Sequence, residues 1–247
     1  MGVETEKEYE VRYFEVDYKK RLLLTDLVNF FTDIAVFQGD LIKVDLDYLK
    51  NNNLAWVLYK WDIKIDRMPG YGEKIKITTK AESFRAFYAM RSFQVKDEKD
   101  QLIIKADSIW FLIDTKLRSP KRIPAEFLDC YGIKKEDKYN PNIPKIEAFE
   151  GNDNIKTFNI RYSDIDTNLH VNNGKYVSYM IESIPKDIVT KYNLNRLVVT
   201  YEKETKYGES ISSMCQVKEE ADGLILYHKT VNENGSVLTV GQSFFSK

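Results

Sequence analysis

Two stretches of the chain carry apolar residues at steps of three and four, which is the spacing of one buried helix face. We predict a helix in each stretch, with Thr25 as the N-cap of the first. The apolar positions of the first helix are Leu24, Leu27, Val28, Phe31, Ile34 and Ala35, and those of the second are Val177, Met180, Ile181 and Ile184.

Segments typical of β-strands follow each predicted helix. After the first helix they span residues 56–65 and 71–75, and after the second they span residues 197–201 and 207–211. Polar turn sequences then join longer strands, at residues 96–100 in the first part of the chain and at residues 232–235 in the second. The second turn contains Asn-Gly, a strong hairpin signal. Each part therefore predicts one helix and several antiparallel strands.

The two parts also share short motifs in the same order, which indicates an internal repeat. Arg12-Tyr-Phe-Glu-Val-Asp17 matches Arg161-Tyr-Ser-Asp-Ile-Asp166, 149 residues later. Tyr71-Gly-Glu-Lys-Ile75 matches Tyr207-Gly-Glu-Ser-Ile211, 136 residues later. The offset falls by 13, so we predict extra residues after the first helix, around residues 44–53. Chance similarity of short motifs is the alternative explanation.

The repeat predicts an α+β fold with two halves, at residues 1–114 and 158–247. Residues 115–157 are rich in charge and hold four prolines, so we predict a crossing linker with little regular structure. A short helix between Pro124 and Tyr131 is expected inside this linker.

Composition narrows the function classes. Charged residues make up 30% of the 247 and nearly balance at a net charge of -1, which argues against a nucleic-acid binder. No apolar run reaches the roughly 18–20 residues of a membrane span, and the polar, acidic N-terminus does not resemble a signal peptide. Cys130 and Cys215 lack metal-ligand spacing, so we expect free thiols, no metal, no membrane insertion and a cytoplasmic location.

Candidate chemistry lies where the two copies differ. Before the second helix the chain has Asp166, Asn168 and His170, whereas the first copy has Asp17, Lys19 and Arg21. An extended Asp-x-Asn-x-His stretch would place the three side chains on one side. Next along the chain, Asn173 and Gly174 open the helix, where free N–H groups and the helix dipole suit a developing oxyanion. Alternatively, His170 is a structural histidine and the asparagines only cap the helix.

Glu204 is the second difference, because the offset of 136 places it opposite Met68. A carboxylate facing an imidazole can share one proton with it, and such a pair is able to act as a general base toward water. Charged neighbours leave open that Glu204 is only a solvated strand residue. His228 and Cys215 are expected to be ordinary strand residues.

The segment from Arg161 to Tyr176, with its Asp-x-Asn-x-His-Val-Asn-Asn string, resembles the signature of acyl-ACP thioesterases, and the similarity extends over essentially the whole chain. The resemblance implies a tandem (double) hotdog fold, in which two antiparallel sheets each wrap a central helix. It also implies that Asp166, Asn168, His170 and Glu204 form the active site. Plant members carry Cys after this Glu, whereas this chain has Thr205, so a cysteine nucleophile at that position is excluded.

From this resemblance we expect hydrolysis of fatty acyl-ACP to free fatty acid and holo-ACP without a cofactor, by water that Glu204 and His170 activate. Trp56, Leu58 and Met68 of the first half are candidates for lining the acyl chain, with ordinary core packing as the alternative. Arg118, Lys121 and Arg122 are candidates for docking the acidic carrier protein. Whether the protein forms a homodimer stays open. A thioesterase acting on acyl-CoA and a non-catalytic acyl-binding protein stay open as alternatives.

Overall fold

A computed structural model describes residues 2–147 and 153–247. Contacts divide the chain into two compact units. The first unit consists of residues 1–60 and 66–143, and the second of residues 61–65 and 144–247. Residues 148–152 of the predicted linker lie outside the described residues.

The first unit is an antiparallel sheet packed against one long helix. Its strands are β1 (Glu4–Glu10), β2 (Leu54–Ile65, of which residues 61–65 belong to the second unit), β3 (Lys74–Arg85), β4 (Tyr88–Lys96) and β5 (Leu102–Asp114), with the short β6 (Ser119–Pro120) beside β5. They lie in the order β1-β3-β4-β5-β2. Its helices are α1 (Leu24–Leu41), α2 (Leu46–Asn51) and α3 (Ala125–Cys130). α1 packs on β1 and β3, and five of the six residues of its predicted apolar face are buried, while Ala35 is half-buried.

The second unit repeats this arrangement. Its strands are β7 (Asn154–Asn159), β8 (Asn193–Tyr201), β9 (Ser210–Glu220), β10 (Gly223–Asn232) and β11 (Val237–Ser246), in the order β7-β9-β10-β11-β8. Its helices are α4 (Asn173–Glu182) and α5 (Lys186–Lys191). Matched strand for strand, this order is that of the first unit, so the repeat in the sequence is a repeat of the fold. Each unit has the α+β hotdog form, one main helix against an antiparallel sheet.

A glycine lets α4 approach its sheet closely. A side chain at Gly241 in β11 would meet the Met180 Sδ atom and the Val198 carbonyl oxygen, each at 3.2 Å. The helix therefore packs directly on the backbone of the strand that lies beside β8.

The repeated Tyr-Gly-Glu motif is a turn rather than the start of a strand, which corrects the predicted segments 71–75 and 207–211. β3 begins only at Lys74, and β9 begins at Ser210. Gly72 and Gly208 both have positive φ, +77° and +85°, and no neighbouring atom lies near their missing side chains. Residues with an L side chain rarely adopt this backbone conformation, which explains why both copies have glycine at this position.

The predicted position of the extra residues is wrong. α1 has 18 residues and α4 has 10, so eight of the 13 additional residues of the first copy lengthen the helix itself. The predicted Thr25 cap is also wrong, because α1 begins at Leu24 and its N-cap, Leu23, makes no side-chain capping bond. The short helix expected between Pro124 and Tyr131 is present as α3. β7 begins at Asn154, inside the stretch predicted to be linker.

Within the described ranges, no helix combines the length and the apolar character needed to cross a membrane.

Candidate active site

Residues 166–170 form a tight turn held together by the Asp166 carboxylate. Its Oδ1 atom accepts hydrogen bonds from the backbone amides of Asn168, at 2.8 Å, and His170, at 3.3 Å. The Asp166 amide donates to the His170 carbonyl at 2.8 Å. Leu169 adopts a left-handed conformation with φ 65°. The expectation of an extended stretch is therefore wrong, because the aspartate side chain and the left-handed residue fold it back on itself.

The turn brings His170 to Glu204. The Nε2 atom of His170 lies 3.1 Å from the Oε2 atom of Glu204, with side-chain exposures of 23% and 40%. The Val171 amide donates to the Thr205 carbonyl at 3.2 Å, so the backbone joins the two segments next to this pair. Asn168 is exposed in the same turn as His170. Two residues 34 positions apart thus form a close imidazole–carboxylate pair that solvent can reach.

The first unit contains the same turn without this pair. Asp17 Oδ1 accepts from the amides of Lys19, at 2.8 Å, and Arg21, at 3.0 Å, and Lys20 is left-handed with φ 60°. Arg21 turns back to its own Asp17, with Nη2 3.1 Å from Oδ2. The scaffold is common to both units, whereas the histidine belongs to the second alone.

The backbone also confirms which residue of the first unit corresponds to Glu204. The Leu22 amide donates to the Pro69 carbonyl at 2.9 Å, as the Val171 amide does to Thr205. Pro69 therefore matches Thr205, and Met68 matches Glu204, as the repeat offset predicted.

The start of α4 lies directly after the turn. Asn172 is its N-cap, and the Oδ1 atom of this residue accepts from the Gly174 amide at 2.8 Å. The Gly174 N–H is thus already bonded, which leaves the Asn173 amide as the helix-terminal donor of the predicted pair. The Tyr201 hydroxyl donates to the Asn173 carbonyl at 3.1 Å and ties the first residue of the helix to the end of β8.

Asp164 is a buried residue that stabilises the segment before the turn. It was not identified from the sequence. It is fully buried and accepts hydrogen bonds from the Arg161 backbone and guanidinium and from the Tyr179 hydroxyl, at 2.9–3.1 Å. Burial alone would raise the pKa of Asp164, but these hydrogen bonds hold it below its usual value. The signal was present in the repeat, because the acid is shared with Glu15, whose carboxylate accepts from the Arg12 amide in the same way.

Other side chains that carry reactive groups are engaged elsewhere. The Thr205 hydroxyl is buried and donates to Glu209. Cys215 lies buried in β9, where burial raises the pKa of its thiol to about 12. His228 is buried in β10 with Nε2 2.7 Å from the Ser243 hydroxyl, as expected of a structural histidine. Over the described ranges, no group of three or more His, Cys, Asp or Glu residues is arranged to hold a metal ion.

The remaining predicted residues belong to the first unit. Trp56 packs with the rings of Phe84 and Phe127, at centroid distances of 6.1 and 6.2 Å. Leu58 is buried and Met68 is half-buried.

The predicted docking residues Arg118, Lys121 and Arg122 are all exposed. Lys121 Nζ lies 3.5 Å from Asp114 Oδ2.

Comparison with known proteins identifies the family to which the sequence is similar. Residues 2–131 match the acyl-ACP thioesterase N-terminal domain, and residues 147–247 match its C-terminal domain. The chloroplastic acyl-[acyl-carrier-protein] hydrolase FATB3 of Cuphea viscosissima is 24% identical over 98% of this chain and 62% of its own length. This chain thus spans about three fifths of that curated relative.

Solved structures show the same fold. A candidate oleoyl thioesterase from Lactobacillus plantarum has a TM-score of 0.94 at 24% identity, covering 100% of this chain and 97% of its own. The 12:0-ACP thioesterase from Umbellularia californica has a TM-score of 0.87 at 19% identity, covering 99% of this chain and 98% of its own. Two hotdog units, the His170–Glu204 pair and both domain matches lead to one conclusion: the chain belongs to the acyl-ACP thioesterase family.

Proposed function

We propose that this protein hydrolyses the thioester bond of fatty acyl-ACP, releasing a free fatty acid and holo-ACP. The observation that carries the proposal is the contact between His170 Nε2 and Glu204 Oε2, 3.1 Å long and open to solvent on the unit that holds the family signature. Family membership supports the substrate class, since the relatives named above act on acyl groups carried by ACP.

In the proposed reaction, the His170–Glu204 pair removes a proton from a water molecule as its oxygen attacks the thioester carbonyl. The carbonyl oxygen becomes an oxyanion, and collapse of the tetrahedral intermediate breaks the carbon–sulfur bond. The pair returns the proton to the departing thiolate of holo-ACP. Atoms and charge balance with water as the only co-substrate.

The other residues of the site have supporting roles in this proposal. Asn168 is exposed in the turn that carries His170 and orients the carbonyl or the water. Asp166 acts through the backbone. Its carboxylate accepts hydrogen bonds from the amides of Asn168 and His170 and so fixes the backbone from which both side chains extend. The Asn173 amide at the start of α4 is the proposed oxyanion donor, since the Gly174 amide is already bonded.

Direct attack by Glu204 on the carbonyl is the competing mechanism, and it would pass through an acyl-enzyme anhydride. A single turnover in oxygen-18 water tests for direct attack, because water that opens the anhydride at the Glu204 carbonyl leaves its label in Glu204. With water as nucleophile, the label enters the fatty acid alone. Label recovered in Glu204, by mass spectrometry of the peptide that contains it, would establish direct attack.

The substrate class is tested with purified acyl-ACPs of several chain lengths, each matched to the acyl-CoA of the same chain. We expect release of free fatty acid with a higher kcat/KM for ACP thioesters. Higher kcat/KM for the CoA series would assign an acyl-CoA thioesterase. Binding without turnover of either series would assign an acyl-binding protein and end the hydrolase proposal.

Two further parts of the proposal concern the first unit. Trp56, Leu58 and Met68 are proposed to contact the acyl chain, because all three are apolar and at least half-buried. Arg118, Lys121 and Arg122 are proposed to dock acidic ACP, because all three side chains are exposed cations. Arg122→Glu is expected to raise KM for acyl-ACP several-fold and leave KM for a small acyl thioester unchanged. Lys135→Glu, at another exposed cation of the first unit, is the matched control, and equal effects of the two variants would refute docking at Arg122.

A cytoplasmic location and a homodimer are further proposals. The first is supported by the two free cysteines, Cys130 and Cys215, which suit a reducing compartment. Cell fractionation and sedimentation of the purified protein test them.

A further inference from the structure

Two tyrosine side chains of the second unit, Tyr176 and Tyr201, pack in the same cluster as Val171, the residue after His170, and the mechanism above does not use them. Tyr176 is on the first turns of α4, 2% exposed, with its ring edge-on to Tyr201 at 6.0 Å and to Tyr179 at 6.4 Å. Its hydroxyl oxygen is buried and makes no hydrogen bond to any residue that the structure describes. A buried hydroxyl without a partner lowers stability, so its presence calls for a reason other than packing.

The surroundings of that hydroxyl point to Glu204. Burial raises the pKa of Tyr176, the nearby Thr205 amide lowers it, and the charge of Glu204 raises it further. Tyr176 and Val171 share one buried cluster, and the Val171 amide donates to the Thr205 carbonyl at 3.2 Å, so Tyr176 packs beside the 204–205 segment.

Tyr201 contacts a second segment of the site, the start of α4. Its hydroxyl donates to the carbonyl of Asn173, the residue whose amide is the proposed oxyanion donor. Tyr201 is thus bonded to the start of α4, and Tyr176 packs beside the segment that carries Glu204.

The first unit shows that packing does not require these hydroxyls. The offset of 149 residues that relates the two helices places Leu27 opposite Tyr176, and the offset of 136 places Ile65 opposite Tyr201. Leu27 is 0% and Ile65 3% exposed, so aliphatic side chains fill both positions in the same fold. The tyrosines occur in the unit that also carries His170 and Glu204.

We propose that Tyr176 and Tyr201 are positioning residues of the thioesterase site, Tyr176 acting through Glu204 and Tyr201 through Asn173. This inference rests on the proposed function. It identifies the hydroxyls, rather than the rings, as the part that serves catalysis, because the rings alone have aliphatic counterparts in the first unit.

The test compares Tyr176→Phe with Tyr9→Phe, which removes a tyrosine hydroxyl in β1 of the first unit that donates to Asp33 at 2.6 Å. On acyl-ACP, Tyr176→Phe is expected to lower kcat about tenfold with KM within twofold, to move the acidic limb of the pH–rate profile, and to leave the melting temperature equal or higher. Tyr9→Phe is expected to keep the wild-type kcat and pH profile.

A readout without turnover keeps this inference separate from the proposed function. The protein has two histidines, so the imidazole nitrogen signals of His170 can be assigned by NMR with a His170→Ala variant. At fixed pH these signals are expected to shift in Tyr176→Phe and to stay in place in Tyr9→Phe. Unmoved signals in Tyr176→Phe would overturn the positioning role even in an active enzyme. If kcat and the melting temperature both fall while these signals stay in place, the role of the Tyr176 hydroxyl is structural.

Discussion

Acidification should destabilise this protein through His228. Its imidazole is fully buried in β10 with Nε2 2.7 Å from the Ser243 hydroxyl, and burial lowers the pKa of His228 from 6.5 to about 3. The unfolded chain binds a proton below about pH 6.5, whereas the folded protein excludes it until about pH 3. The stability linked to this group is therefore present above pH 6.5 and is lost as the pH falls through the window from 6.5 to 3.

The size of the effect follows from proton linkage. Each pH unit below the unfolded pKa lowers the free energy of unfolding by about 1.4 kcal/mol. Lowering the pH from about 7 to about 5 therefore lowers it by roughly 2 kcal/mol. Over that interval the result depends on the unfolded pKa and hardly on the folded one, because the folded pKa lies well below the interval. His228→Gln keeps a polar side chain at the position but does not titrate.

The assay is urea unfolding followed by tryptophan fluorescence at several pH values between 7 and 5. The difference between wild type and His228→Gln cancels every other titrating group. We expect wild type to lose about 2 kcal/mol more than the variant over this interval. Parallel pH curves for the two proteins would refute the assignment of a buried neutral imidazole.

Three substitutions test other parts of the second unit by thermal unfolding. Asp164→Asn should cost about 2 kcal/mol, because it weakens the buried acceptor of Arg161 and Tyr179; an unchanged melting temperature would contradict that role. Asp62→Asn should cost about 3 kcal/mol, because Asp62 is 2% exposed and accepts two bonds from the Arg196 guanidinium, each 2.7 Å long; a loss under about 0.5 kcal/mol would place the pair among weak surface bridges. Gly208→Ala should cost about 1 kcal/mol from its positive φ, and a gain in stability would contradict the turn conformation.

The repeat was predictable because its motifs encode backbone geometry. Gly72 and Gly208 occupy left-handed positions in the same turn, and Glu15 and Asp164 accept the same backbone amide of their preceding arginine. Residues with such local roles stand at fixed offsets in both copies, so the sequence comparison located Met68 opposite Glu204 without a structure.

The local shape of the site was not predictable from side-chain periodicity. Leucine and lysine are poor residues for a left-handed conformation, yet Leu169 and Lys20 adopt it because Asp166 and Asp17 bind two amides each. That bonding replaces the alternation of a strand by a turn. The length of α1 was missed for a different reason: the apolar pattern used to predict it ended at Ala35, whereas the helix continues to Leu41.

The central claim, that the His170–Glu204 pair activates water, is tested most directly by single-turnover hydrolysis of acyl-ACP with Glu204→Gln, His170→Ala and the double variant. Arg21→Ala, at the matching turn of the first unit, is the control. Loss of the pair is expected to lower the rate by roughly 10²–10⁴, and the double variant should be no slower than the slower single variant, because the two groups act as one unit. Single variants that stay within tenfold of wild type, or that slow the reaction no more than Arg21→Ala does, would contradict the claim.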